Sequence, residues 1–197
     1  MRTRRRSSLK KPDTLSYARN LISKEEVLDL IAGSTKHEHS ILVSRIMKRL
    51  AERFGEDPAE WELVGLLHDL DYDLINGDMT RHGIMATKML EERLSEEGLY
   101  AIKAHDHKTG FAPLSLIDRS LIAADAVAIF IEDEERDDDY RGEALLAKLD
   151  MKNTDKPWIN DAILTFCRGT GLQLIEFLRL GLNIETGNHF KKDSPRS

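Results

Sequence analysis

The chain has 197 residues, of which 41% are hydrophobic and 32% are charged, and its formal net charge is −6. This length fits one domain with an apolar core, and only 5 Pro and 12 Gly exclude a fibrous or low-complexity chain. A single cysteine, Cys167, excludes an intramolecular disulfide and a cysteine-based zinc site. No apolar run reaches the roughly 18 residues of a membrane helix, because the longest, 121–131, is short and contains Asp125. We therefore expect a soluble, cytoplasmic protein.

The N-terminus is basic, whereas the rest of the chain is acidic. Without the six basic residues of 1–11, 23 basic and 35 acidic side chains leave a net charge of −12. An acidic surface disfavours broad contact with a nucleic-acid backbone, so no specific nucleic-acid partner is expected. We expect residues 1–20 to form a flexible, solvated tail. The alternatives are that this tail contacts RNA or an acidic partner, or that it is a short transit peptide.

The sequence predicts a series of helices, and the first two have clear ends. Ser23 and Glu26 have the spacing of a capping box, which marks a helix N-terminus. A second helix is predicted over 36–54, where apolar residues recur every three or four positions, and Gly55 is predicted to end it.

The third predicted helix is the most apolar one. Asp57 and Pro58 mark its start as the N-cap and the first helical residue, and we expect it to continue to Leu70. It is apolar nearly all round, so it should be the central, buried helix, and it carries the adjacent pair His68-Asp69.

Four further segments are predicted in the middle of the chain. After a polar turn at 76–78, a helix is predicted over 80–98, followed by a short helix over 99–105. A loop at 108–110 then leads to a long apolar helix over 113–131. The side chains predicted on the inner face of the 80–98 helix are Met85, Met89 and Leu94.

The last third of the chain is less regular. Residues 132–139 hold seven acids and one arginine, which is typical of a solvated loop, with metal binding as the alternative. Residues 158–182 predict one or two helices with a break near 169–171, and they could cap a site, extend the bundle or form a dimer contact. The expected organisation is a tail over 1–20, a single helical domain over 21–184 with its motif region at 23–131 and its C-terminal helices at 141–184, and a flexible tail over 185–197.

Histidine and aspartate side chains are predicted to face inward from several helices. His39 shares the apolar face of the second helix, whereas His37 should be exposed, and Asp125 follows the apolar positions of the long helix at four-residue steps. An ionised Asp69 or Asp125 buried among apolar side chains costs several kcal/mol unless a cation or strong donors neutralise it. Each of these residues alone is more often a hydrogen-bonded core residue. Together with His68, however, they predict a metal site.

Three short segments carry this histidine and aspartate pattern in order. They are His39-Ser40-Ile41-Leu42-Val43, Leu66-Leu67-His68-Asp69-Leu70-Asp71 and Ala123-Ala124-Asp125. They resemble the H…HD…D pattern of the HD-domain metal-dependent phosphohydrolases, and the resemblance runs from about residue 23 to 131. It implies an all-α HD-domain helical bundle with a metal site between the central helices. It also implies that His39, His68, Asp69 and Asp125 bind metal and that Asp69 is the catalytic residue.

Two further histidines extend the resemblance to HD proteins that hold two metals. The segments Arg81-His82-Gly83 and Ile102-Lys103-Ala104-His105 are similar to the extra histidine motifs of the small HDIG-type predicted hydrolases. This implies that Asp69 bridges two ions, with His82 and His105 serving the second one, and His107 is the alternative to His105. The implied cofactors are two divalent ions of iron, manganese, cobalt or zinc, and a single ion is the alternative.

The chain departs from the commonest family motif directly after the His-Asp pair. Leu70-Asp71-Tyr72-Asp73 stands where many HD enzymes carry Ile-Gly-Lys, so the lysine that could meet a phosphate is missing there. Arg81 and Lys108 are the predicted phosphate-binding replacements, because each neighbours a proposed ligand. Ordinary solvated cations are the alternative for both.

The resemblance implies a metal-dependent hydrolase of a phosphate ester or phosphoanhydride that uses a metal-activated water. We expect a small phosphorylated molecule as its substrate, with a nucleotide favoured. A di-iron HD-type oxygenase and a non-catalytic nucleotide-binding regulatory module are the alternative functions. The sequence leaves open whether the chain acts as a homodimer.

Overall fold

The computed structural model describes residues 21–134 and 156–181. Within these ranges the chain forms eight α-helices and no strand, which confirms the predicted all-α fold. Predictions for both tails, for 135–139 of the acidic run and for 141–155 lie outside the described residues. The helices are α1 (Lys24–Ile31), α2 (His37–Phe54), α3 (Pro58–Leu67), α4 (Ile84–Met89), α5 (Glu96–Ala104), α6 (Leu116–Glu134), α7 (Pro157–Thr170) and α8 (Leu174–Gly181), with 3-10 turns at Tyr72–Leu74, Met79–Arg81 and His107–Thr109.

The start of α1 and the end of α2 are as predicted. The Ser23 hydroxyl accepts from the Glu26 N–H at 3.2 Å, and the Glu26 carboxylate accepts from the Ser23 N–H at 2.9 Å, which completes a capping box. Gly55 ends α2 in the left-handed conformation, with φ of +76°. Asp57 then caps α3 by accepting from the Ala59 N–H at 2.9 Å.

The core is built around α2, α3 and α6. α3 packs closely along α2, since a Cβ added at Gly65 would lie 2.6 Å from Ser44 Cα, which only glycine avoids. α6 packs against α2, α5 and α7. The largest fully buried side chains of the described residues come from most of these helices: Ile31, Ile46, Met47, Leu50, Leu66, Leu67, Ile75, Leu90, Ile102, Ile117, Leu121 and Phe177.

The prediction that α3 continues to Leu70 is wrong, because the helix ends at Leu67. His68 is its C-cap, and the chain then tightens into three-residue turns in which the Tyr72 N–H donates to the Asp69 carbonyl at 3.0 Å. We attribute the early end to Asp71. Its buried carboxylate is hydrogen-bonded to groups outside α3. If α3 continued past Leu67, the carboxylate would be moved away from these partners.

The prediction of a single helix over 80–98 is also wrong. Gly83, with φ of +73°, separates the 3-10 turn from α4, which is only six residues long. Ser95 caps a new helix by accepting from the Gly98 N–H at 2.9 Å, so Gly98 lies in the first turn of α5 rather than at a helix end. Of the three predicted inward side chains, Leu94 is buried, Met85 is half-buried and Met89 is 44% exposed.

The long apolar helix is shifted toward the C-terminus relative to its prediction over 113–131. It begins at Leu116, because the Asp118 carboxylate accepts from the N–H groups of Leu114 and Ser115 at 2.8 and 2.9 Å. It continues through 132–134, so these residues of the acidic run are helical and not a loop. The break near 169–171 is confirmed, with Gly171 ending α7 at φ of +73°. None of the described helices is long and apolar enough to cross a membrane.

Candidate metal centre

The six predicted metal ligands come together from five segments of the fold. They lie in the first turn of α2, at the end of α3, before α4, after α5 and in the middle of α6. All six side chains are buried or nearly so, and Asp125 has the largest exposed fraction, 18%. The six residues are His39, His68, Asp69, His82, His105 and Asp125.

Local backbone features put three of these side chains, His68, His82 and His105, at the ends of helical segments, where they can point away from the helices. His68 and His105 are C-caps of α3 and α5. His82 precedes Gly83, whose added Cβ would lie 2.3 Å from the Ile102 carbonyl oxygen. Only glycine therefore lets this turn approach the end of α5 closely enough for His82 and His105 to meet.

One group of ligand atoms forms around Asp125. His39 Nε2 lies 2.9 Å from Asp125 Oδ1, and His68 Nε2 lies 3.9 Å from the same oxygen. These three ligand atoms all lie within 4.8 Å of one another, as a shared metal ion requires. His39 Nε2 also lies 3.8 Å from Asp69 Oδ2, so this group touches one oxygen of Asp69.

A second group forms around the other oxygen of Asp69. Asp69 Oδ1 lies 3.0 Å from His82 Nε2, 3.4 Å from His68 Nε2 and 3.7 Å from His105 Nε2. His82 Nε2 and His105 Nε2 are themselves 3.0 Å apart. One oxygen of Asp69 thus faces His39, the other faces the remaining three imidazoles, and His68 contacts both groups.

Two of the histidines are oriented by backbone carbonyls. His68 Nδ1–H donates to the Gly65 carbonyl at 2.8 Å, and His105 Nδ1–H donates to the Ile102 carbonyl at 2.6 Å. A carbonyl only accepts hydrogen bonds, so each Nδ1 carries a proton and each Nε2 is the ring nitrogen that faces the cluster.

The other two histidines are oriented by carboxylates. His39 Nδ1–H donates to both carboxylate oxygens of Glu132 at 3.1 Å. His82 Nδ1–H donates to Asp71 Oδ1 at 2.8 Å, and Asp71 Oδ2 accepts from the Ala86 N–H at 2.9 Å. Such outer contacts are the ones that fix metal-binding imidazoles and raise their basicity.

The cluster as a whole fits a divalent cation. His68 Nε2 is fully buried and has no hydrogen-bond partner among the described residues. His82 Nε2 and His105 Nε2 lie 3.0 Å apart and both face Asp69 Oδ1, so three donor atoms of the kind that bind a cation are close together. Imidazole nitrogens and carboxylate oxygens are the donors that iron, manganese, cobalt and zinc accept.

Two histidines of the cluster hold protons strongly when no metal is bound. Burial alone lowers the pKa of His39, but its hydrogen bonds to Asp125 and Glu132 outweigh this effect and raise the pKa to about 10. Burial also lowers the pKa of His82, and hydrogen bonds to its two aspartate partners raise the pKa to about 9.

The pKa values of His68, Asp69 and Asp125 shift in the opposite sense. Burial lowers the pKa of His68 to about 4, and this effect outweighs the nearby carboxylates. Burial alone would raise the pKa of Asp69, but the facing imidazoles of His68, His105 and His82 hold it well below its usual range. The pKa of Asp125 is lowered as well, because the hydrogen bond from His39 outweighs burial.

Two other histidines lie away from this centre. The His107 side chain is 84% exposed, so His105 and not His107 occupies the cluster. His37 is 30% exposed, and its Nδ1–H donates to the Ile31 carbonyl at 3.2 Å. The seventh histidine of the chain, at position 189, lies outside the described residues.

A cavity of about 650 Å³ opens over the centre, and Asp69, His82, His105 and Asp125 line its floor. Of the two predicted phosphate-binding cations, Lys108 lines this cavity. Arg81 does not line it, since its side chain is exposed and donates to Met85 Sδ at 3.5 Å. The structure places a different cation, Lys36, in the cavity wall, with Nζ 3.9 Å from Asp69 Oδ2 and 4.3 Å from the centre of the Tyr72 ring.

The sequence holds signals for two site residues that were not predicted, Glu132 and Lys36. Glu132 follows Asp125 by seven residues, two turns of the same helical face, but the acidic run around it obscured this spacing. Lys36 precedes His39 by three residues and therefore lies one turn away from it. Asp71 gave no periodic signal, because the chain has left the helix before it.

Residues 37–129 match the family model of the HD domain. This segment runs from α2 into α6 and contains all six residues of the metal centre. Lys36, Glu132 and α7 lie outside it. No curated protein and no solved structure matches the chain.

Proposed function

Because the chain belongs to the HD-domain superfamily, we propose that it is a metal-dependent phosphohydrolase of a nucleotide-like phosphate ester or phosphoanhydride. The family generally includes metal-dependent phosphohydrolases. The observation that carries the proposal is the convergence of four imidazole Nε2 atoms on Asp69, on the floor of an open cavity.

The donor atoms divide into two sets that share Asp69. His39, His68 and Asp125 with one oxygen of Asp69 would hold one divalent ion, and His82 and His105 with the other oxygen would hold a second. When bound, such ions would lower the pKa of a water molecule, supply the nucleophile at neutral pH and clamp the phosphoryl oxygens. Iron, manganese, cobalt and zinc all suit these donors.

The chain's own side chains then have separate tasks. Glu132, Asp71 and two backbone carbonyls hold the imidazole rings, so that little reorganisation is needed when substrate binds. Lys36 provides a positive charge beside Asp69, where the phosphoryl group would lie. In the hydrolysis, a bond forms from the water oxygen to phosphorus while the bond to the leaving oxygen breaks, and the leaving group takes up a proton.

The direct test is orthophosphate release by protein purified without chelator and analysed for metal. We expect one or two divalent ions per chain and release of orthophosphate from nucleoside monophosphates or phosphoanhydrides. Treatment with a chelator should abolish the activity, and adding back manganese, cobalt, iron or zinc should restore it. Oxygen consumption without phosphate release would favour the di-iron oxygenase. Absence of metal after reconstitution would point to a binding module.

Replacing Lys36 by methionine should reduce kcat/KM roughly 10- to 100-fold, the usual worth of a charge-assisted hydrogen bond. Its ammonium group lies 3.9 Å from Asp69 and is 27% exposed toward the cavity, so it can reach a phosphoryl oxygen. Methionine keeps most of the side-chain volume but not the charge. Steady-state kinetics with any accepted substrate would measure the loss.

The matched control is Lys88→Met, on the exposed side of α4, which should leave kcat/KM unchanged. Metal content should stay the same in both variants. Equal activity of the Lys36 variant and wild-type protein would contradict a phosphate contact by Lys36.

A further inference from the structure

An apolar wall extends along the cavity from the metal centre. On α6, Ile122 and Ile129 lie three residues before and four residues after Asp125, so the three side chains share one helical face. All three line the cavity, and so do Trp158 and Ala162, which are four residues apart on α7. α7 packs along α6. The apolar wall, formed by Ile122, Ile129, Trp158 and Ala162, thus begins within one helical turn of a proposed metal ligand.

Trp158 is the largest side chain of the apolar wall, and the described residues leave much of it uncovered. It is 47% exposed, whereas the other tryptophan of the chain, Trp61, is 4% exposed and belongs to the core. A bound molecule that covers the indole would remove apolar surface from water. The flat indole face favours stacking against another ring.

The residues that line the cavity come from two parts of the chain. The segment that matches the HD domain supplies the metal-facing residues and Phe111, a further aromatic ring in the cavity lining. Trp158 lies on α7, beyond the end of that segment at residue 129. α7 therefore adds a surface that the HD-domain match does not account for.

We propose that Trp158 selects substrates whose leaving group carries a flat aromatic ring, such as a nucleobase, by stacking on that ring. This inference rests on the proposed phosphohydrolase function. The phosphoryl group would lie at the metal centre, near Lys36, and the rest of the substrate would extend along the apolar wall that begins beside Asp125. Stacking tolerates any base, because every base has a π-face, so Trp158 selects for the ring and not for its identity.

Binding is measured first, by tryptophan fluorescence of the metal-loaded protein. Adenosine 5′-monophosphate should change the emission, and glycerol phosphate and inorganic phosphate should not. In Trp158→Phe the remaining tryptophan is the buried Trp61, so the response should disappear. A response that persists in this variant, or an equal response to all three probes, would overturn the proposal.

Activity is measured second, with adenosine 5′-monophosphate and glycerol phosphate as substrates. Trp158→Ala should lose roughly 10- to 100-fold in kcat/KM for the aromatic substrate and less than about twofold for the aliphatic one. Trp158→Phe should retain most activity, because its ring still stacks. The control Asp161→Ala, at an exposed position of α7, should change neither value.

The two readouts separate the possible failures. If both substrates are hydrolysed and Trp158→Ala affects them equally or not at all, the inference about Trp158 is wrong and the phosphohydrolase function stands. If neither substrate is hydrolysed but the fluorescence response requires Trp158, stacking on the apolar wall is supported and the proposed reaction is wrong.

Discussion

Replacing Asp69 by asparagine is expected to lower turnover by roughly 10³-fold or more and to remove most bound metal. Asp69 is the one carboxylate that contacts both groups of ligand atoms, because its Oδ2 faces His39 and its Oδ1 faces the other three imidazoles. Asparagine has the same shape but no negative charge, and its amide nitrogen would point a donor at one of these sets. Elemental analysis and orthophosphate release measure the two effects.

The control is Asp29→Asn, the same chemical change at an exposed position of α1. It should keep the metal content and the activity of the wild-type protein. Far-UV circular dichroism should show the same helical content for both variants. An Asp69 variant that retains metal and turnover would contradict the metal centre, whereas loss of helical content would require the test to be repeated with Asp69→Glu.

The residues that face the metal centre from regular helices could be predicted from the sequence. His39 and Asp125 each continue the apolar face of a helix, so helical periodicity alone predicts that they face inward. The cost of burying a charged aspartate then indicates a cation, without any knowledge of the fold. Both side chains lie in the cluster that the structure shows.

The parts that sequence reasoning missed depend on turns and on long-range contacts. A helix over 80–98 fits the apolar pattern, but the conformation of Gly83 is required by its close approach to Ile102, nineteen residues away in sequence. Lys36 and Glu132 acquire their roles only when α2 meets the ends of α3 and α6. Periodicity describes one helix at a time and carries no information about contacts between helices that are distant in sequence.

Protons are expected to compete with metal at the centre, so metal affinity should rise steeply between pH 7 and pH 9. His39, with a pKa of about 10, and His82, with a pKa of about 9, are protonated at neutral pH in the metal-free protein. Each must lose its proton before Nε2 can bind a metal. Every proton displaced should therefore increase the apparent affinity up to about tenfold per pH unit. Calorimetric titrations with Mn²⁺ in two buffers of different protonation enthalpy would count the protons released.

The stability of the metal-free protein should depend on pH in the opposite sense. An unfolded histidine has a pKa near 6.5, so the raised pKa of His39 stabilises the folded state fully below pH 6.5. This stabilisation is lost as the pH rises toward about 10, and the loss should amount to a few kcal/mol. On the acid side, the pKa of His68 is lowered to about 4, so stability should also fall as the pH drops from 6.5 toward 4.

Urea unfolding of chelator-treated protein at pH 5, 6.5, 8 and 9.5 would measure this dependence. We expect a maximum near pH 6.5 and a midpoint that falls at higher pH. In His39→Gln the alkaline fall should be smaller, because one of the two raised pKa values is removed, whereas His107→Gln, at an 84% exposed position, should follow the wild-type curve. Because bound metal takes the place of these protons, the metal-loaded protein should gain stability over the same alkaline range. A metal-free protein that becomes more stable from pH 6.5 to 9.5 would show that His39 and His82 are not the groups that hold the protons.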